Sequence, residues 1–114
     1  MLHTVVETPT FERAAEKIGL SNDALTDLIN ALAKDPEQGD QIKGSGGYRK
    51  VRAAGRGKGK SGGFRVITLY SGRNIPLFLI TIYSKGELRN LSRQQINTMK
   101  ALSKTLIGIH GKKK

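Results

Sequence analysis

Apolar residues recur at helical spacing twice near the start of the chain. Phe11, Ala14, Ala15 and Ile18 fall at i, i+3, i+4 and i+7, and Leu25, Leu28, Ile29 and Leu32 repeat the pattern. The flanking residues agree. Thr8-Pro9 reads as an N-cap followed by proline at the first helical position. Gly19 can end that helix in a left-handed conformation. Ser21 caps the second helix, Asp23 sits in its first turn, and Asp35-Pro36 stops it. Before this helical hairpin, the short β-branched run His3–Glu7 predicts a first strand.

The pattern then changes period. Tyr48–Ala53, Phe64–Tyr70 and Ile75–Tyr83 are β-rich runs. Ser71-Gly72-Arg73-Asn74 is a turn-like connection, so the last two runs are expected to pair as an antiparallel hairpin. The third run is apolar on both faces and predicts a central strand, with Pro76 near its start. Alternation puts Tyr48, Lys50 and Arg52 on one face and turns Val51 and Ala53 toward the core. A last helix has a clear start: Ser92 and Gln95 form a capping box, and Leu91 and Ile96 a hydrophobic staple. Ile96, Met99, Leu102 and Leu106 predict its buried face, with Lys100 and Lys104 outside. The expected order is β-α-α-β-β-β-α, an α+β domain in which an antiparallel β-sheet carries an N-terminal helical hairpin and a C-terminal helix. Residues 1–110 are expected to form one domain and residues 111–114 a basic tail.

Charge sharpens this picture. The 114 residues carry a formal net charge of +11, unevenly spread. Residues 1–40 hold eight acids and three bases, and residues 41–86 hold ten bases and no acid. Solubility does not require such separation, and concentrated positive potential attracts nucleic acid. There is no cysteine, which excludes disulfides and thiolate metal sites. No apolar run approaches the ~20 residues of a membrane helix. The first residues lack the charged-then-apolar pattern of an export signal, so a cytoplasmic location is expected.

The candidate chemistry lies in the basic half. Lys50 and Arg52 on one strand and Arg65 on the next are expected to present their charges together. Like charges gathered on one sheet face oppose folding, an arrangement suited to a site that will hold an anion. Crowding of cations also favours the neutral form of a lysine, which a general base requires. Gly55-Arg56-Gly57-Lys58-Gly59-Lys60 alternates glycine with cations, so backbone amides and charges can both approach a phosphate backbone. It lacks the spacing and the strand–loop–helix context of a Walker A loop. His3 and His110 lie far from this region, which argues against a paired-histidine nuclease, and no metal-ligand cluster is evident.

The segments VVETPTFERAAEKI, DPEQGDQIKGSGGYRKVRAAGRGKGKSGGFRVITLY and LITIYSKGEL carry a family likeness. From about Thr4 to Leu106 the chain resembles the RelE/HigB-type toxins of bacterial type II toxin–antitoxin systems, within the RelE/ParE superfamily, and is most similar to the HigB-like branch. The resemblance implies a small RNase-like fold and ribosome-dependent cleavage of messenger RNA, with neither metal nor other cofactor. It implies Lys50, Arg52, Arg65 and Lys85 as catalytic residues, with the general base left open between Lys50 and Lys85. Arg49, Arg56, Lys58, Lys60, Tyr48 and Tyr83 are the expected RNA contacts. The implied partners are the ribosome, messenger RNA and a HigA-like helix-turn-helix antitoxin, with operator DNA reached only through that antitoxin and no membrane. Two other functions fit such a chain: a ParE-like gyrase poison on the same fold, and a non-catalytic nucleic-acid-binding protein.

Overall fold

The computed structural model describes residues 2–53, 63–84 and 92–111. Arg56, Lys58, Lys60, Lys85, Glu87 and Leu91 lie outside the described residues. The element order is β1 (Val5–Glu7), α1 (Pro9–Ile18), α2 (Asn22–Lys34), β2 (Asp40–Gln41), β3 (Tyr48–Ala53), β4 (Phe64–Leu69), β5 (Leu77–Ser84) and α3 (Arg93–Gly111). The five strands form one sheet in the order β1-β5-β4-β3-β2. All neighbours are antiparallel except β1 and β5, which run parallel. This is the expected α+β architecture. Among the described residues, no helix is long and apolar enough to cross a membrane.

The helix ends form where the sequence places them. The Thr8 hydroxyl accepts from the Phe11 amide, and the Ser21 hydroxyl from the Ala24 amide. Gly19 adopts φ +74 and closes α1 through its amide. Ser92 and Gln95 bond reciprocally, the amide of each donating to the side chain of the other. Two details differ from expectation. The first strand begins at Val5, because the His3 amide leaves the sheet and donates to the Ala33 carbonyl at the end of α2. Helix α3 faces the sheet with Met99, Ser103 and Leu106, while Leu102 is exposed. The Ser103 hydroxyl donates to the Gly46 carbonyl at 3.0 Å, which sets the rotation of the helix.

The third β-rich run is not the middle strand. Strand β5 lies between β1 and β4, and β4 occupies the centre. Strand β5 also contains an irregularity that its composition conceals. Ile67 pairs with Thr81 but Thr68 pairs with Leu79, so Ile80 is an extra residue, a β-bulge. Leu77, Leu79 and Ile82 therefore all join the core beneath α1 and α2, with Phe11, Leu28, Leu32, Val51 and Val66. Phe78 and Tyr83 join the opposite cluster, with Tyr48, Ile67 and Leu69, against which Met99 and Leu106 of α3 pack. The Thr8 hydroxyl donates to the carbonyl of Leu79 at 2.7 Å, so one residue caps α1 and clamps the bulge.

The two-residue strand β2 is too short to leave a periodic signal in the sequence. It pairs Asp40 with Lys50 and Gln41 with Arg49. Its approach to β3 is fixed by Gly39, whose φ is +101 and whose position has no room for a side chain. A Cβ there would lie 2.7 Å from the Lys50 carbonyl oxygen and 2.8 Å from Val51 Cγ2. Arg49 secures the same segment, donating to the Glu37 carbonyl at 2.9 Å and more weakly to that of Gly39 at 3.5 Å.

Three outcomes follow from this packing. Thr8→Ala loses a cap and the bond to the bulge, and urea unfolding should show a loss of about 1–2 kcal/mol. Gly39→Ala combines backbone strain with a clash, and the same measurement should show a loss of roughly 1–3 kcal/mol. The Tyr48 hydroxyl is buried with no partner among the described residues. Burial pushes its phenol from 10.0 up to about 12. The folded chain then holds this proton more tightly than the unfolded chain does. That contribution to stability is whole below pH 10 and lost as pH rises from 10.0 to about 12. Tyr48→Phe should remove this alkaline decline and stabilise the protein at neutral pH by about 1 kcal/mol, since a buried unpaired hydroxyl is gone.

Candidate active site

Cross-strand register assembles the site in rows on the sheet face that α3 partly covers. In the row that α3 covers, Tyr48 pairs with Leu69 and Leu69 with Phe78. All three are buried, and Met99 and Leu106 pack on their cluster. In the next row Asp40 pairs with Lys50, Lys50 with Ile67, and Ile67 with Thr81. In the third row Arg52 pairs with Arg65, and Arg65 with Tyr83. Directly opposed residues share a face with Cβ atoms about 4.5–5.5 Å apart, so the two arginines stand side by side. The face thus grades from a greasy, helix-covered floor to a charged end within three rows.

A cleft of about 290 Å³ opens at the charged end, lined by Gln38, Gly39, Asp40, Lys50, Val51, Arg52 and Arg65. Arg52 is exposed, and Lys50 and Arg65 are half-buried. The segment from Gln38 to Asp40 makes one wall, held by Arg49 and by the close fit of Gly39 against β3. Tyr83 closes the row of arginines from β5. Its phenol is raised by burial, and the Arg65 charge pulls the other way. A guanidinium beside a phenol favours the phenolate, and burial favours the neutral hydroxyl; here burial is the larger influence. A larger hollow of about 500 Å³ lies on the other side of the sheet, lined by Ala14, Lys17, Ile18, Ile82 and Ser84. Among the described residues, Lys17 is the one charged residue lining it, against Lys50, Arg52, Arg65 and Asp40 in the first cleft.

Lys50, Arg52 and Arg65 are therefore brought together, and Tyr83 stands next to Arg65. Two expected RNA contacts are not part of this surface. Tyr48 has no exposed area, because α3 lies over its row. Arg49 is directed to the opposite side of β3 by strand alternation, where it binds the 37–39 segment. Gln38 and Asp40 were not anticipated in the cleft. The motif Gly39-Asp40 preceded the basic strand in sequence, but a two-residue strand has too little periodicity to announce its pairing. Among the described residues, no three histidine, aspartate or glutamate side chains group as metal ligands.

The family model for RelE, described as the RelE toxin of the RelE/RelB toxin–antitoxin system, matches residues 3–113. The match runs through every strand and helix described above, including the strands that carry Lys50, Arg52 and Arg65. A toxin of such a system implies a cognate antitoxin as its partner. By this match over nearly its whole length, the chain belongs to the RelE toxin family of type II toxin–antitoxin systems.

Proposed function

We propose that this toxin is a messenger RNA endoribonuclease that acts on the translating ribosome, within the HigB-like branch, and that a HigA-like antitoxin restrains it. The observation that carries this reading is the direct cross-strand pairing of Arg52 with Arg65, with Lys50 one row away. Like charges directly opposite each other on a sheet are destabilising. A phosphate seated between them reverses the sign of that interaction, and guanidinium groups grip phosphate oxygens in bidentate fashion.

The reaction needs little more than such a grip. The RNA 2′-oxygen attacks the adjacent phosphorus in line. The new P–O2′ bond forms as the P–O5′ bond breaks, leaving a 2′,3′-cyclic phosphate and a 5′-hydroxyl. The 2′-hydroxyl proton passes to a base, and a proton is returned to the departing 5′-oxygen. Lys50 or Lys85 assists the first transfer. Arg52 and Arg65 stabilise the charge that builds on the phosphorane-like transition state. Tyr83, a neutral phenol at physiological pH, offers a hydroxyl donor beside Arg65. Arg56, Lys58 and Lys60 add sequence-independent phosphate attraction. The nucleophile belongs to the substrate, so the chain need supply neither a nucleophilic side chain nor a metal-bound water.

Replacing Arg65 by Ala should lower the rate of messenger cleavage on programmed ribosomes by roughly 10²–10³-fold, the usual effect of losing an oriented transition-state donor. The same substitution relieves the Arg52–Arg65 repulsion, so unfolding should show stability unchanged or raised by a few tenths of a kcal/mol. Expression of the Arg65→Ala variant without antitoxin should not arrest growth. Full toxicity in that variant would refute the assignment. Salt-sensitive RNA binding by the wild-type protein without any cut messenger would instead identify a non-catalytic binder.

A further inference from the structure

The cleft contains a carboxylate that phosphate binding does not explain. Asp40 lines it beside Lys50, Arg52 and Arg65, and is paired directly across from Lys50. A negative charge in a cleft built for a polyanion weakens the attraction of every phosphate near it. Seven of the other acids in the chain lie earlier, and most belong to α1, α2 and the segments at their ends. Asp40 is the last acid before 46 residues without one, and β2 carries it across to the cationic face.

Its neighbour on the wall has a similar character. The Gln38 side-chain nitrogen donates to the carbonyls of Ala31 at 3.1 Å and Asp35 at 3.3 Å. Both partners are acceptors, so the orientation of the amide is determined, and Oε1 is the atom it offers elsewhere. The wall is also stiff. Arg49 binds the carbonyls of Glu37 and Gly39 from behind, and Gly39 sits against the Lys50 carbonyl. A braced wall thus carries the Asp40 carboxylate and Gln38 next to the cations Lys50, Arg52 and Arg65.

We infer that Asp40, supported by Gln38, is a base-reading residue that favours a nucleobase bearing an exocyclic amino group beside the scissile phosphate and disfavours uracil. This rests on the endoribonuclease reading above. Adenine, cytosine and guanine each carry an amino group that can donate to a carboxylate, as cytosine N4 does to acidic side chains. Uracil carries only carbonyl oxygens in the corresponding positions, and its one N–H lies between them. An acceptor facing an acceptor forms no hydrogen bond and is repelled, so uracil lacks the contact that an amino-bearing base makes. Phosphate contacts position the strand and carry no sequence information, so the division of labour in the cleft follows its chemistry: cations hold, acceptors read.

The test uses ribosomes programmed with four messages that differ only in the base next to the cleavage site. Wild-type protein should cut the uracil message about tenfold or more slowly than the mean of the other three, the discrimination expected of one good polar contact. Asp40→Asn places a donor where the carboxylate stood and should bring that ratio to within about threefold, mainly by relative gain at uracil. Asp40→Ala should also flatten the ratio, by removing the acceptor altogether. A variant that was merely less stable would slow all four messages alike and leave the ratio in place. Equal cutting of all four messages by wild type, or an unchanged ratio in both variants, would overturn the base-reading role while leaving the nuclease intact. Failure of wild type to cut any of them would overturn the nuclease reading and this inference with it.

Discussion

The site depends on how β5 sits between β1 and β4. This strand is buried on both faces, so each of its side chains must go to one cluster or the other. Strict alternation from Leu77 would send Leu79, Thr81 and Tyr83 to the same face. The extra residue at Ile80 breaks that rule. It lets Ile82 complete the core under the helical hairpin and turns Tyr83 toward Arg65. Thr8 holds the kink by bonding the Leu79 carbonyl with the same hydroxyl that caps α1. The N-terminal helix, the main core and the charged end of the opposite face are thereby tied to one local irregularity.

On that opposite face, hydrophobic burial and electrostatic repulsion are separated by distance. Tyr48, Leu69 and Phe78 bury their area beneath α3, and two rows away the exposed Arg52 is paired with the half-buried Arg65. Burying a leucine- or phenylalanine-sized side chain contributes about 1.5–3 kcal/mol, whereas opposed like charges on a sheet cost only about 0.2–1 kcal/mol. The covered rows can therefore carry the charged one. Ser103 on Gly46 sets where the cover sits, and the glycine-rich turn before β3 gives the helix a close seat. The unfavourable pair is one that a bound anion would relieve, and it singles out one place on the sheet, which net charge does not.

Much of the fold was legible in the residues, for a definite reason. Caps, proline stops and turn glycines act over three or four residues, so Thr8, Ser21, Gly19 and the Ser92–Gln95 box could be placed without tertiary knowledge. Lys50, Arg52 and Arg65 were legible as a group because two adjacent antiparallel strands leave few ways to separate them. Leu102 misled because its spacing suits a buried stripe, and a single long-range bond from Ser103 turned the helix. Alternation puts Tyr48 on the correct face, yet that face is half covered. Alternation specifies the side of a sheet and not what lies over it.

By itself, the sequence determined the element types and their order apart from β2, the charged strand face and the identity of the cations, because periodicity, capping and charge are properties of neighbours along the chain. The tertiary structure alone decided that β1 runs parallel to β5, that a bulge sends Tyr83 to Arg65, and that Arg49 braces a wall from behind. It also decided that Asp40, numbered with the acidic part of the chain, stands opposite Lys50 in the cationic cleft. Each of these depends on contacts between residues distant in sequence, where pairing, packing and the geometry of one glycine outweigh local preference.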